Sequence, residues 1–160
     1  MKTKTERQIQ NKKNRASGKA FELKIRADLE KKGWIVFRNG NDVEEAKPKS
    51  SFEWEGGCVF KQAKMKWNFF TKRLMMTHSG FPDFICIKMF DSYKIHSTGE
   101  EGFSWEVQFV ECKVNGYLKP EEMEKVRWIL EQLKIPIFVA SKGIKRGEIK
   151  YLEMHNDKKI

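Results

Sequence analysis

Ser79-Gly80-Phe81-Pro82-Asp83-Phe84-Ile85-Cys86-Ile87 opens with a Gly-x-Pro turn and runs into an unbroken apolar segment. A short, wholly apolar run bounded by turn residues reads as a strand buried on both faces. The companion stretch, Trp105-Glu106-Val107-Gln108-Phe109-Val110-Glu111-Cys112-Lys113, has period 2. Strand parity puts Trp105, Val107, Phe109, Glu111 and Lys113 on one face, and Glu106, Gln108, Val110 and Cys112 on the other. An acid therefore enters the first strand, while an acid and a lysine project together at the end of the second.

Outward from this pair, Ser17 is a plausible N-cap for a helix running to about Lys32, with Gly33 in the stop position. Phe21, Ile25 and Leu29 share its apolar stripe, and Glu22 lies at the border. Glu22 is either an acid available to a site or a surface residue pairing with Arg26 at i+4. Trp34–Arg38 reads as a strand, ended by Asn39-Gly40-Asn41-Asp42. A polar loop follows to about Ser51, with Pro48 arguing against a regular element. Residues 52–77 fit two patterns. Phe60, Ala63, Trp67, Phe70 and Leu74 suit a helix, while Ala63, Met65, Trp67 and Phe69 alternate as a strand does, with a hairpin at Gly56-Gly57.

Residues 89–104 read as a polar hairpin-like connection. Pro120 opens a helix at the favoured first position, with Glu121, Glu122 and Glu124 near its positive end. Met123, Val126, Trp128, Ile129, Leu130 and Leu133 form its apolar side, and Pro136 bounds it. Ile135–Ala140 and Ile149–Leu152 are further strands, with Gly143 and Gly147 turning between them. The order predicts an α/β fold with a central mixed β-sheet flanked by helices. The expected organisation is a basic flexible arm at 1–16, one domain at 17–153 with an insert at about 41–78, and a polar tail at 154–160.

The chain has 160 residues and a net charge of +10, with a pI near 9.5. That charge favours an anionic partner, and five Trp with twelve Phe supply rings able to stack on bases. Lys12, Lys13 and Arg15 in the arm, Lys64, Lys66, Lys72 and Arg73 among the insert's aromatics, and His78 before the turn are candidate nucleic-acid contacts. The insert's aromatic face reads equally as core or as an interface between copies. Cys58, Cys86 and Cys112 show no metal-ligand spacing and read as reduced, structural thiols. The absence of a leader pattern or long apolar run points to an intracellular, cytoplasmic, soluble protein.

Hydrolysing a phosphodiester needs an activated water and neutralisation of developing negative charge. Hard divalent cations do both, bound through one or two carboxylates. Asp83 and Glu111, each at a strand end, suit one such ion. Lys113 suits a group that orients or deprotonates the water, with burial near a metal expected to depress its pKa.

In the segments Ser79-Gly80-Phe81-Pro82-Asp83-Phe84-Ile85, Val107–Lys113 and Leu118-Lys119-Pro120-Glu121-Glu122, the chain resembles the PD-(D/E)XK nuclease superfamily. The resemblance is closest to archaeal-type Holliday junction resolvases and virus-type replication-repair nuclease domains. Gly18-Lys19-Ala20-Phe21-Glu22 matches the family's early glutamate-bearing helix. The resemblance covers residues 17–40 and 79–141. It implies a restriction-endonuclease-like core and Mg²⁺-dependent endonuclease activity, with Mn²⁺ able to substitute, on branched or structured DNA. It also implies Asp83, Glu111, Lys113 and Glu22 as catalytic residues, and Asp83, Glu111, Glu22 and the Cys112 backbone carbonyl as metal ligands. A homodimer is implied as well. Glu122 departs from the glutamine often found near the family's site. The alternative is a non-catalytic nucleic-acid-binding protein that retains the fold.

Overall fold

The structure is a computed structural model that describes residues 3–45, 58–62, 65–69, 72–76, 80–94 and 101–156. In chain order the elements are α1 (Lys4–Lys31), β1 (Ile35–Arg38), β2 (Asn41–Glu45), β3 (Cys58–Gln62), β4 (Met65–Asn68) and β5 (Arg73–Met76). Then come β6 (Phe84–Lys94), β7 (Glu101–Cys112), α2 (Pro120–Trp128) with a π-helical turn at Ile129–Leu133, β8 (Ile137–Lys142) and β9 (Ile149–Glu153).

Five strands form a mixed sheet in the order β1-β6-β7-β8-β9, and β2-β3 and β4-β5 are separate antiparallel pairs. Only β7 and β8 run parallel within the large sheet, joined through α2, as a parallel pair requires a crossover. The sheet separates two cores. On one face Phe21, Ile25 and Leu29 of α1 meet Val36, Phe84, Cys86, Val110 and Ala140. On the other, Val126 of α2 and Ile129 meet Phe109, Ile137, Val139, Phe81, Leu118, Val43 and Met154. The architecture is α/β with a mixed sheet flanked by helices, and among the described residues no helix is long and apolar enough to cross a membrane.

The α1 stripe and the Gly33 stop agree with the sequence, and Gly33 takes a positive φ of 85°. The start differs. Residues 4–16, expected as a flexible arm, are helical, with 5–16 exposed, the helix starting where Thr3 and Glu6 form a reciprocal capping box that satisfies first-turn N–H groups. The only glycine of α1, Gly18, costs about 1 kcal/mol relative to alanine and does not end the helix.

Three further expectations are corrected. Asn41–Glu45, read as loop, pairs with Cys58–Gln62, and Val43 is wholly buried, so the insert contributes to the core. Of the two patterns open for residues 52–77, the described parts take the strand; the Gly56-Gly57 turn lies outside the described residues. Residues 89–94 and 101–104 extend β6 and β7 as a longer ribbon, with the register shifting between Met89 and Asp91. Met154, placed in a polar tail, is 2% exposed and donates its N–H to the Ile137 carbonyl. Cys86 and Cys112 are free thiols, the first buried and the second half-buried.

One polar cluster ties α1 to β9. The Tyr151 hydroxyl donates to Asp28 Oδ2 at 2.7 Å, and Lys32 Nζ lies 2.7 Å from the same oxygen. Burial alone would raise the Asp28 pKa, but the bonds from Lys32 and Tyr151 bring it below the usual carboxylate range. Tyr151→Phe is expected to lower stability at pH 7 by about 1 kcal/mol in denaturant melts. A depressed carboxylate stabilises above its unfolded pKa and stops doing so as pH falls through its folded one. The difference between parent and variant should therefore narrow below about pH 4.

Candidate active site

The register that pairs Phe84 with Val110 sets Asp83 beside Glu111 at the ends of β6 and β7. Each acid is held by the other strand's backbone. The Asp83 N–H donates to Glu111 Oε2 at 3.1 Å, and the Cys112 N–H donates to Asp83 Oδ2 at 2.9 Å. Lys113 shares its face with Glu111, as strand parity requires, and its Nζ stands 2.9 Å from Glu111 Oε1. It also lies 2.7 Å from Glu122 Oε1 in the first turn of α2.

The turn before Asp83 is fixed from a direction the sequence did not indicate. Asn39, 3% exposed, donates its N–H to the Asp83 carbonyl and brackets Asn41 with its side chain. The Asn41 carbonyl then accepts the Phe81 N–H, and the Phe81–Pro82 peptide bond is cis. Asp42 and Lys125 form an ion pair at 2.6 Å, with the ammonium 5.7 Å from the Phe81 ring centroid. Gly80 permits this approach: a Cβ there would collide with the Asn41 carbonyl oxygen and stand 2.7 Å from its nitrogen. Gly80→Ala is therefore expected to lower stability by about 1 to 3 kcal/mol, checked by thermal melts. It should also impair any chemistry that depends on the position of Asp83.

Glu22 borders the same region from α1. It pairs with Arg38 Nη2 at 3.3 Å, not with Arg26, whose Nε is 2.8 Å from Glu30. Helix spacing favoured the Arg26 pair, but β1 brings Arg38 to the face where Glu22 projects. Burial, then the charge of Asp83, raises the Glu22 pKa.

The electrostatics are those of crowded acids. Burial raises Asp83, against the opposing pull of the Cys112 N–H and Lys113. Burial and then Asp83 push Glu111 up to about 8, although Lys113 pulls the other way. For Lys113, burial alone would lower the pKa, but Glu111 and Glu122 hold it up to about 12. Two carboxylates on one ammonium outweigh its desolvation. Burial, and then the charges of Asp83, Glu111 and Glu22, raise the Cys112 thiol, which favours its protonated form.

Among the described residues, no three His, Cys, Asp or Glu side chains form a ready-made cation cage. The donor chemistry nevertheless fits a hard divalent cation. Asp83 and Glu111 are adjacent oxygen donors whose burial and mutual repulsion a cation would relieve, and Mg²⁺ needs only one or two carboxylates. The Cys112 backbone, already bonded to Asp83, lies between Glu111 and Lys113.

The other sequence candidates are dispersed. Lys12, Lys13 and Arg15 are exposed on α1, and Lys72 is exposed in the β4-β5 turn. Lys66 and Arg73 belong to β4 and β5, with their side chains outside the described set; Lys64 and His78 lie wholly outside it. The sequence reading missed Asn39, Asn41 and the Glu122–Lys113 bond. The Asn-Gly-Asn pattern signalled a turn without revealing that its carbonyl and side chains brace Asp83.

Fold and site together define an α/β protein with an acid–lysine cluster at one end of its central strands. No family model matches the chain, no curated protein is significantly similar to it, and no solved structure matches it significantly.

Proposed function

We propose that the chain is a metal-dependent endodeoxyribonuclease with a restriction-endonuclease-like core, acting on phosphodiester bonds in branched or structured DNA as Holliday junction resolvases do. The observation that carries this reading is the reciprocal anchoring of Asp83 and Glu111 across β6 and β7, with Lys113 on Glu111. Asp83, Glu111, Glu22 and the Cys112 carbonyl would hold Mg²⁺ or Mn²⁺. When bound, such an ion neutralises phosphate charge and makes water a stronger nucleophile.

Lys113 supplies hydrogen bonds and positive charge to a phosphate oxygen. Glu111 and Glu122, which hold its nitrogen, favour the charged form of Lys113. Arg38 keeps Glu22 near Asp83. The DNA backbone meets the positive charge of the chain, with Lys12, Lys13, Arg15 and Lys72 as exposed contacts. A homodimer in the cytoplasm is the setting that agrees with this reading.

One observation favours the non-catalytic alternative: the Lys113 ammonium stands on Glu111 Oε1, an oxygen that a cation on the acid pair would need. Labelled linear, flap and four-way DNA incubated with Mg²⁺ or Mn²⁺ separates the two. Metal-dependent cleavage that is lost in Asp83→Ala and Lys113→Ala supports the nuclease. Binding without cleavage in either metal, or variants that cut as well as the parent, would overturn it.

A further inference from the structure

Lys113 is divided between two carboxylates in unlike settings. Glu111 is 4% exposed, and its second oxygen is committed to the Asp83 N–H. Glu122 is half-buried, and its second oxygen accepts the Lys119 N–H at 2.8 Å, which fixes it to the first turn of α2. The ammonium on Glu111 Oε1 occupies an oxygen that a cation on the Asp83–Glu111 pair would need. A divalent ion and an ammonium at one carboxylate oxygen repel each other, so cation entry requires Lys113 to move off Glu111. Another carboxylate already lies 2.7 Å from the same nitrogen.

We propose that Glu122 is a positioning residue: it retains the Lys113 ammonium when a cation takes Glu111, and so keeps Lys113 from competing for the metal position. The proposal rests on the nuclease reading of the same site. Glu122 is fixed by its own helix cap, so its berth persists whether or not Lys113 is on Glu111.

Glutamine at this helix position still caps the Lys119 N–H through its carbonyl oxygen, so Glu122→Gln removes the berth without removing the cap. The test is Mn²⁺ binding to the full chain without DNA, read by calorimetry and by loss of the free-ion paramagnetic signal, with circular dichroism confirming the fold. Glu122→Gln should weaken Mn²⁺ binding about tenfold, in the range typical of lost outer partners. In a Lys113→Met background the competitor is absent, and the same substitution should change affinity by less than about threefold, the signature of coupled residues. Unchanged affinity in Glu122→Gln would overturn the proposal. So would an equal loss in both backgrounds, since Glu122 would then act only as a general negative charge. A parent protein that takes up no Mn²⁺ would instead overturn the metal reading of the site, and this proposal with it.

Discussion

Asp83→Asn is expected to leave a folded protein that binds four-way DNA as the parent does while its Mg²⁺-dependent cleavage falls roughly a thousandfold or more, since both charge neutralisation and water activation depend on the ion. Asparagine preserves the shape and keeps an oxygen for the Cys112 N–H bond that Asp83 now accepts at 2.9 Å. It removes a buried negative charge from the pair. Losing that charge should lessen the acid crowding that raises Glu22 and Glu111, so folding stability should not suffer. Single-turnover cleavage and gel-shift binding, measured on the same preparation, separate the effects. Loss of binding in parallel with cleavage would mean that Asp83 supports the DNA surface rather than the chemistry. Cleavage at the parental rate would remove Asp83 from the site altogether.

That expectation draws on a part of the molecule that local pattern made legible. Period 2 in Val107–Lys113 placed Glu111 and Lys113 on one face, and the structure puts them 2.9 Å apart. The 3.6-residue repeat of Phe21, Ile25 and Leu29 placed α1 on the sheet with Glu22 at its margin. What the pattern could not supply was register and long-range bracing. Asp83 stands beside Glu111 because β6 and β7 pair antiparallel at Phe84 and Val110, a relation no single strand encodes. Asn41–Glu45 carries one apolar residue, Val43, so periodicity had nothing to detect, yet this strand fixes the turn before Asp83. The first part of α1 is exposed and carries no apolar stripe; only its capping box marks its start.

Glu111→Gln is the substitution for which activity and stability should move in opposite directions. Cleavage should vanish, because the amide is a poor ligand for a hard cation. Stability of the chelator-treated protein at pH 8 should rise by a few kcal/mol, since each unit of pKa shift corresponds to about 1.4 kcal/mol. Glutamine keeps an oxygen for the Asp83 N–H, and Lys113 retains Glu122.

The sign follows from the raised carboxyl. Glu111 titrates near 8 in the folded protein, against an ordinary value of 4.5. Below the ordinary value both folded and unfolded chains are protonated there, and the residue contributes no pH dependence. Between the two values the unfolded chain has lost a proton that the folded chain retains, so stability falls as pH rises, and it levels off above about 8. Thermal melts of metal-free parent and Glu111→Gln at pH 5, 6.5 and 8 should diverge progressively, with the variant higher. Mg²⁺ should then recover stability at pH 8 in the parent and not in the variant, because a ligand stabilises only the state that binds it. Parallel melting curves would show that Lys113 fully compensates the buried acid, and that the crowding of Asp83 and Glu111 stores no demand for a cation.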